Sequence, residues 1–204
     1  MSEKRYRLYE YMTRTKWLHV EDALSIGKLR LYAGSYQRGQ GAQITAFHFI
    51  DAGDARVLFS DIAAGAPVDY CDFKGTTNRE GPQSRVFKVK SKGHGDKVWF
   101  RLENGPGEVI GQGAVKPKGE PEAVVNIPFE TWEARKLALA ILSYLQAGEV
   151  FDMMQRHAVS QGSGTEGHVT DWPGGQSVGD SAPREEGASD RPFRVRTSDQ
   201  HSTT

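Results

Sequence analysis

The chain has 204 residues and a formal net charge of zero, with 26 Lys and Arg against 26 Asp and Glu. That length supports one folded domain, at most two, plus tails, and the neutral balance gives no global pull toward nucleic acid or membrane. The only cysteine, Cys71, excludes an internal disulfide; with no signal-peptide pattern and no long apolar run, a cytoplasmic protein without a membrane span is the expectation.

Residues 5–12 alternate imperfectly and fit a strand or a short helix, and His19–Ile26 has helical spacing over two turns, ended by Gly27. We treat 1–27 as an N-terminal extension. Lys28–Tyr36 is a clear strand: Lys28, Arg30, Tyr32 and Gly34 share one face, Leu29, Leu31 and Ala33 the other. Gln37–Gly41 reads as a hairpin connection, Ala42–Ile50 as the returning strand, Ala52–Asp54 as a turn and Ala55–Ile62 as a further strand. A loop at Ala63–Pro67 leads to a strand at Val68–Lys74, and Gly75–Gln83 reads as a polar turn region.

Two basic strands follow. In Arg85–Lys92, Lys88, Lys90 and Lys92 share a face; in Lys97–Glu103, Val98, Phe100 and Leu102 oppose Lys97, Trp99, Arg101 and Glu103. Asn104–Pro121 holds five glycines and three prolines and reads as a loop, with room for a short strand at Glu108–Ile110. Ala123–Ile127 is the last strand. Pro128 then fits the first position of a helix that Gly148 would stop. Within it Ala134, Leu137, Ala138, Ile141, Leu142 and Leu145 form one apolar stripe. Residues 158–204 are poor in apolar side chains and read as a disordered tail, with Trp172 and Phe193 as stray rings. The fold class that follows is α+β: antiparallel twisted sheets packed with a long C-terminal amphipathic helix.

Charge is uneven. From Tyr70 to Asn104 eight cations stand against four carboxylates, whereas beyond His157 four arginines face seven carboxylates. Single-strand binding needs cations along the phosphates and flat rings under the bases. Lys28 and Arg30 with Tyr32, Lys88 with Lys90, and Lys97 and Arg101 with Trp99 combine these on strand faces, and the affinity would fall with salt. Taken singly, each is also an ordinary solvated sheet face.

Phe73-Lys74-Gly75 with Asn78-Arg79-Glu80-Gly81, followed by Ser84–Lys90, resembles the second half of the Whirly family. Val98–Leu102 is similar to that family's next strand, and Val124–Phe129 with Trp132 and the helix to Gly148 to its last strand and helix. Tyr36–Ala46 is similar to its K-G-K-A-A-L-type hairpin strand, with Arg38 keeping a cation and Gln40 replacing one. The likeness spans 28–150. It implies two sheets set like whirligig blades, helices joining protomers into a tetramer, and single-stranded DNA held along sheet edges with little sequence preference. The related PC4-type fold binds single strands too. The candidate nucleic-acid-binding residues are Lys28, Arg30, Tyr32, Tyr36, Arg38, Lys74, Arg85, Lys88, Lys90, Lys97, Trp99 and Arg101.

Catalytic signals are thin. None of the six histidines is spaced with another ligand as a metal motif requires, the glycine-rich pairs lack a following Lys-Ser/Thr, and Cys71 fits a buried or half-buried structural thiol. No cofactor, metal or catalytic residue is expected. Three functions stay open: non-enzymatic binding of single-stranded DNA or RNA by a homo-oligomer, a structural subunit of a larger complex without nucleic acid, and a small enzyme whose site forms only in the fold.

Overall fold

The computed structural model describes residues 6–162 apart from Glu80, His94, Gln112 and Gly113, so the expected tail lies outside the described residues from 163 onward. The first sheet is a four-stranded meander of β1 (Arg7–Met12), β2 (Lys16–Ala23), β3 (Lys28–Gln37) and β4 (Gly41–Asp51). Two of its strands lie within residues 1–27, where an N-terminal extension is expected. β2 pairs with β3 along its whole length, from Lys16 opposite Ser35 to Ala23 opposite Lys28. The domain therefore begins well before residue 28, and His19–Ala23 is strand, followed by a single 3-10 turn at Leu24–Ile26.

Helix α1 (Ala52–Ala64) stands where the sequence suggested a turn and a strand. Ala55, Leu58, Phe59 and Ile62 are its buried residues, a helical i, i+3, i+4, i+7 set. Gly65 ends it with a positive φ of 74°, its N–H returning to the carbonyls of Asp61 and Ile62.

The second sheet runs β5 (Val68–Asn78), β6 (Gly81–Ser91), β7 (Val98–Ile110), with β8 (Ala114–Pro117) and β9 (Ala123–Phe129) both pairing with β7. The expected polar turn at 75–83 is mostly a continuation of the β5–β6 ladder, which closes at Asn78 opposite Gly81. The expected loop from 104 is also largely strand: Gly107–Ile110 pairs with Ala114–Pro117. Glycine is needed there. A Cβ on Gly107 would lie 2.3 Å from Cγ1 of Val115, and one on Gly75 would lie 2.4 Å from its Cβ. Val115 thus plugs a slot that only two glycines leave open.

Pro128 belongs to β9, opposite Trp99, rather than to the helix; within that sheet β9 is an edge strand, where a missing N–H is tolerated. Helix α2 spans Thr131–Gly162. It passes through Gly148 and takes in the first residues assigned to the tail. Gly148 is a close-approach site, since a Cβ there would meet Cδ1 of Leu24 at 3.0 Å. By length and composition Thr131–Ala158 also meets the requirement for crossing a bilayer, contrary to the expectation that no segment would. Its expected stripe instead enters the core: Ala134, Leu137, Ala138, Ile141 and Leu145 are buried and Leu142 partly so.

The core lies between the inner faces of the two sheets and the apolar sides of α1 and α2. Phe100 is central, with its ring centroid 4.8 Å from Phe129, 5.5 Å from Phe87 and 6.3 Å from Phe59. The sheets are also joined by polar contacts. The Asn104 side chain accepts from the Phe47 N–H at 2.7 Å and donates to its carbonyl at 3.1 Å. The outer face of the first sheet is left open along Lys28, Arg30 and Tyr32, and that of the second along Lys88, Lys90, Trp99 and Arg101, whereas at Ser84, Val86 and Glu103 the second sheet is covered by the segment that includes Pro117 and Pro121.

Candidate nucleic-acid interface

Strand register decides which of the candidate residues meet. On the outer face of the second sheet, Cys71, Lys88, Arg101 and Asn126 are successive register partners across β5, β6, β7 and β9. The next row is Asp69, Lys90, Trp99 and Pro128. Four strands at the usual spacing place the ends of a row ~14 Å apart, and rows two residues apart are separated by ~6.6 Å. The rows line a concavity of about 820 Å³ that includes Lys88, Lys90, Trp99, Arg101, Asn126 and the exposed Cys71. Past Asp69, Lys90 and Trp99 it meets a second hollow of about 540 Å³ bordered by Lys92 and Lys97. Trp99 is 49% exposed and stands where the hollows join.

This face carries carboxylates as well as cations. Glu103 is buried beside Lys88, at 3.2 Å, and Arg101, whose Nε donates to it. Lys90 lies 3.6 Å from Asp69 in an exposed pair, and Lys97 donates to Glu130 at 2.7 Å. The Glu130 hydrogen bond and charge hold the Lys97 ammonium above its ordinary pKa.

The other candidates lie elsewhere. Lys28, Arg30 and Tyr32 share the outer face of the first sheet with Trp17, His19 and Phe47. Arg30 sits 4.4 Å over the Tyr32 ring and 5.0 Å over Phe47 and donates to Glu21 at 2.6 Å. The Trp17 ring covers Gly34, where a Cβ would approach it to 2.7 Å, and meets Tyr32 edge-on with centroids 4.7 Å apart. Lys74 and Arg85 are opposed on the inner face of the second sheet, at the seam between the sheets. Arg85 covers Phe47 from 4.9 Å, and burial lowers its guanidinium pKa. Tyr36 donates its hydroxyl to the Thr13 carbonyl at 2.7 Å, and Arg38 is exposed in the β3–β4 turn. The twelve residues therefore form one compact group, Lys88, Lys90, Trp99 and Arg101 with Lys97 at its margin, and several separate ones.

Behind the seam runs an ionic chain. Lys28 and Lys74 both donate to Asp51, the latter at 2.5 Å; Lys74 lies 3.1 Å from Asp72, and Asp72 lies 3.0 Å from Nε2 of His48. His48 is completely buried, with Nδ1 lacking a partner. Burial lowers its pKa more than the Asp72 hydrogen bond and charge raise it. The neutral tautomer that donates from Nε2 to Asp72 fits this environment.

Sequence reasoning passed over Asp69, Cys71 and Asn126 in the groove, and Trp17, His19 and Phe47 on the first sheet. The alternation of Trp17 and His19 with the buried Leu18 and Val20 was a usable signal for a strand with an aromatic outer face. Asn126 had no signal, because its place depends on β9 pairing with β7. Cys71 is exposed rather than buried, since it falls on the outward-facing register of β5. Among the described residues no three His, Cys, Asp or Glu are grouped to hold a metal ion.

No protein-family model matches the chain, and no curated protein matches it. Among solved structures, the crystal structure of WHY1 from Arabidopsis thaliana is similar, with 15% sequence identity and a TM-score of 0.50 over 84% of this chain and 99% of that one. The antiparallel sheets and C-terminal helix make this an α+β fold of the Whirly type.

Proposed function

We propose that this protein binds single-stranded nucleic acid, DNA in the first instance, without catalysis and with little sequence preference, through the outer face of its second sheet. The observation that carries this is the convergence of Lys88, Lys90, Arg101 and the exposed Trp99 ring on two adjacent rows of one open groove. A single strand crossing the β-strands along these rows meets cations at its phosphates and a ring on which a base stacks. The binding unit is an oligomer, a tetramer by analogy with the Whirly fold. Val150, Phe151 and Met154 lie exposed on one stripe of α2 and, with Ser143, Gln146 and Ala147, line a hollow of about 520 Å³. That spacing is the one by which helices join.

Fluorescence anisotropy of a labelled mixed-sequence single strand, with single-stranded and duplex competitors at two salt concentrations, tests the reading. It requires binding that salt weakens and that duplex does not displace. A second reading, an assembly subunit without nucleic acid, draws on the same α2 stripe and on the charge pairing. Among the described residues, seven of the nine candidate cations, all but Arg38 and Arg85, have a carboxylate within ion-pair distance. Defined assembly with no oligonucleotide binding at low salt would favour it.

A further inference from the structure

Lys88 and Arg101 are directly opposed on β6 and β7. Like charges in that position repel, so the arrangement needs an anion. Glu103, two residues along β7 on the same face, supplies it. Its two oxygens lie 3.2 and 3.3 Å from Nζ of Lys88, and its Oε1 accepts from Nε of Arg101. The three differ in depth: the Glu103 side chain is 10% exposed, Lys88 37% and Arg101 43%. The carboxylate is therefore the most enclosed of the three, set beside the cations at the end of the row that Ser84, Val86 and Pro121 also cover. Arg101 is held through Nε, which leaves its terminal amino groups as donors toward the groove. A phosphate received there would lie close to a fixed negative charge.

On the reading that this face binds single strands, we infer that Glu103 is a resident counter-anion. It holds Lys88 and Arg101 in place and limits both the strength and the salt sensitivity of binding. Glutamine separates the two roles, because Glu103→Gln keeps an oxygen to accept from Arg101 and removes the charge. With that charge gone, Lys88 and Arg101 hold counterions that an arriving phosphate displaces, and a single-strand slope rises by about 0.7 per phosphate neutralised.

The test is anisotropy titration of a labelled single strand over a salt series, with folding checked by circular dichroism. Glu103→Gln should bind about three- to tenfold tighter at low salt, with a log K against log salt slope steeper by about 0.7 to 1.4. Unchanged or weaker binding by a folded Glu103→Gln chain overturns the inference and leaves the groove's role standing. Failure of the wild-type chain to bind any oligonucleotide at low salt overturns the functional reading and the inference with it. Since Glu103 is buried and its variant can lose the fold, two exposed positions provide a second arm. Lys88→Gln leaves Glu103 with one cation instead of two, so it should weaken binding more than Lys90→Gln, whose partner Asp69 is solvent-screened. Equal losses in the two variants overturn the inference.

Discussion

The slot that holds Val115 predicts an unusual pattern of substitutions. Val115 is 2% exposed and lies against Gly75 of β5 and Gly107 of β7. Neither glycine has a positive φ, so alanine is excluded there by space rather than by backbone conformation. In Gly107→Ala the new Cβ would lie 2.3 Å from Cγ1 of Val115, a distance that forces the valine out. Exposing a buried valine costs about 1.5–3 kcal/mol, which is the expected loss of stability in urea unfolding followed by circular dichroism. The two glycines then respond differently to a second change. Val115→Ala removes Cγ1 and should relieve most of the Gly107→Ala cost. It should not relieve Gly75→Ala, whose Cβ would lie 2.4 Å from Cβ of residue 115 and 2.7 Å from the Gln83 carbonyl oxygen. A double-mutant cycle reads this directly. A Gly107→Ala chain within about 0.5 kcal/mol of wild type, or an undiminished cost in the Val115→Ala background, refutes the packing argument.

Trp99→Ala should weaken oligonucleotide binding by about 1–3 kcal/mol if a base stacks on it, with thermal stability unchanged because the ring is half exposed; titration and a melting curve on the same sample check both. His48 is kept neutral by burial, so the unfolded chain takes up a proton below about pH 6.5 that the folded chain does not. Stability should therefore fall as pH drops from about 6.5 toward 5, and His48→Gln, which keeps a donor for Asp72, should flatten part of that fall; His19, also lowered by burial, contributes with the same sign. An equal pH slope in the variant would show that His48 is not responsible. Phe151→Asp with Met154→Asp should shift the sedimentation of an oligomer toward the monomer, since both side chains are exposed on one stripe of α2.

Where a strand has one buried and one open face, the fold was readable in advance. Leu29 and Leu31 against Lys28, Arg30 and Tyr32, and Phe100 and Leu102 against Trp99 and Arg101, sort as alternation demands. The stripe of α2 was readable by its period. α1 was misread although Ala55, Leu58, Phe59 and Ile62 carry helical spacing, because the apolar run that they break up is short enough to pass for a strand. The hairpin end at 75–83 and the β7–β8 ribbon were hidden for another reason. Their polar and glycine residues reflect solvent at the hairpin tip and the close approach of Val115, and neither cause is local in sequence. The group Lys88, Lys90, Trp99 and Arg101 followed from alternation within two strands plus their pairing. The role of Glu103 did not, because a count of charges along the chain does not reveal which of them pair.

The most direct test of the central claim is photo-crosslinking of a bromouracil-substituted single strand, with the modified peptides located by mass spectrometry. Adducts are expected in the β6–β7 region, on Trp99 above all, and Lys88→Gln with Arg101→Gln should remove them. Adducts confined to Trp17, Tyr32 or Phe47 on the first sheet, or binding that persists with no adduct at the groove, would contradict it.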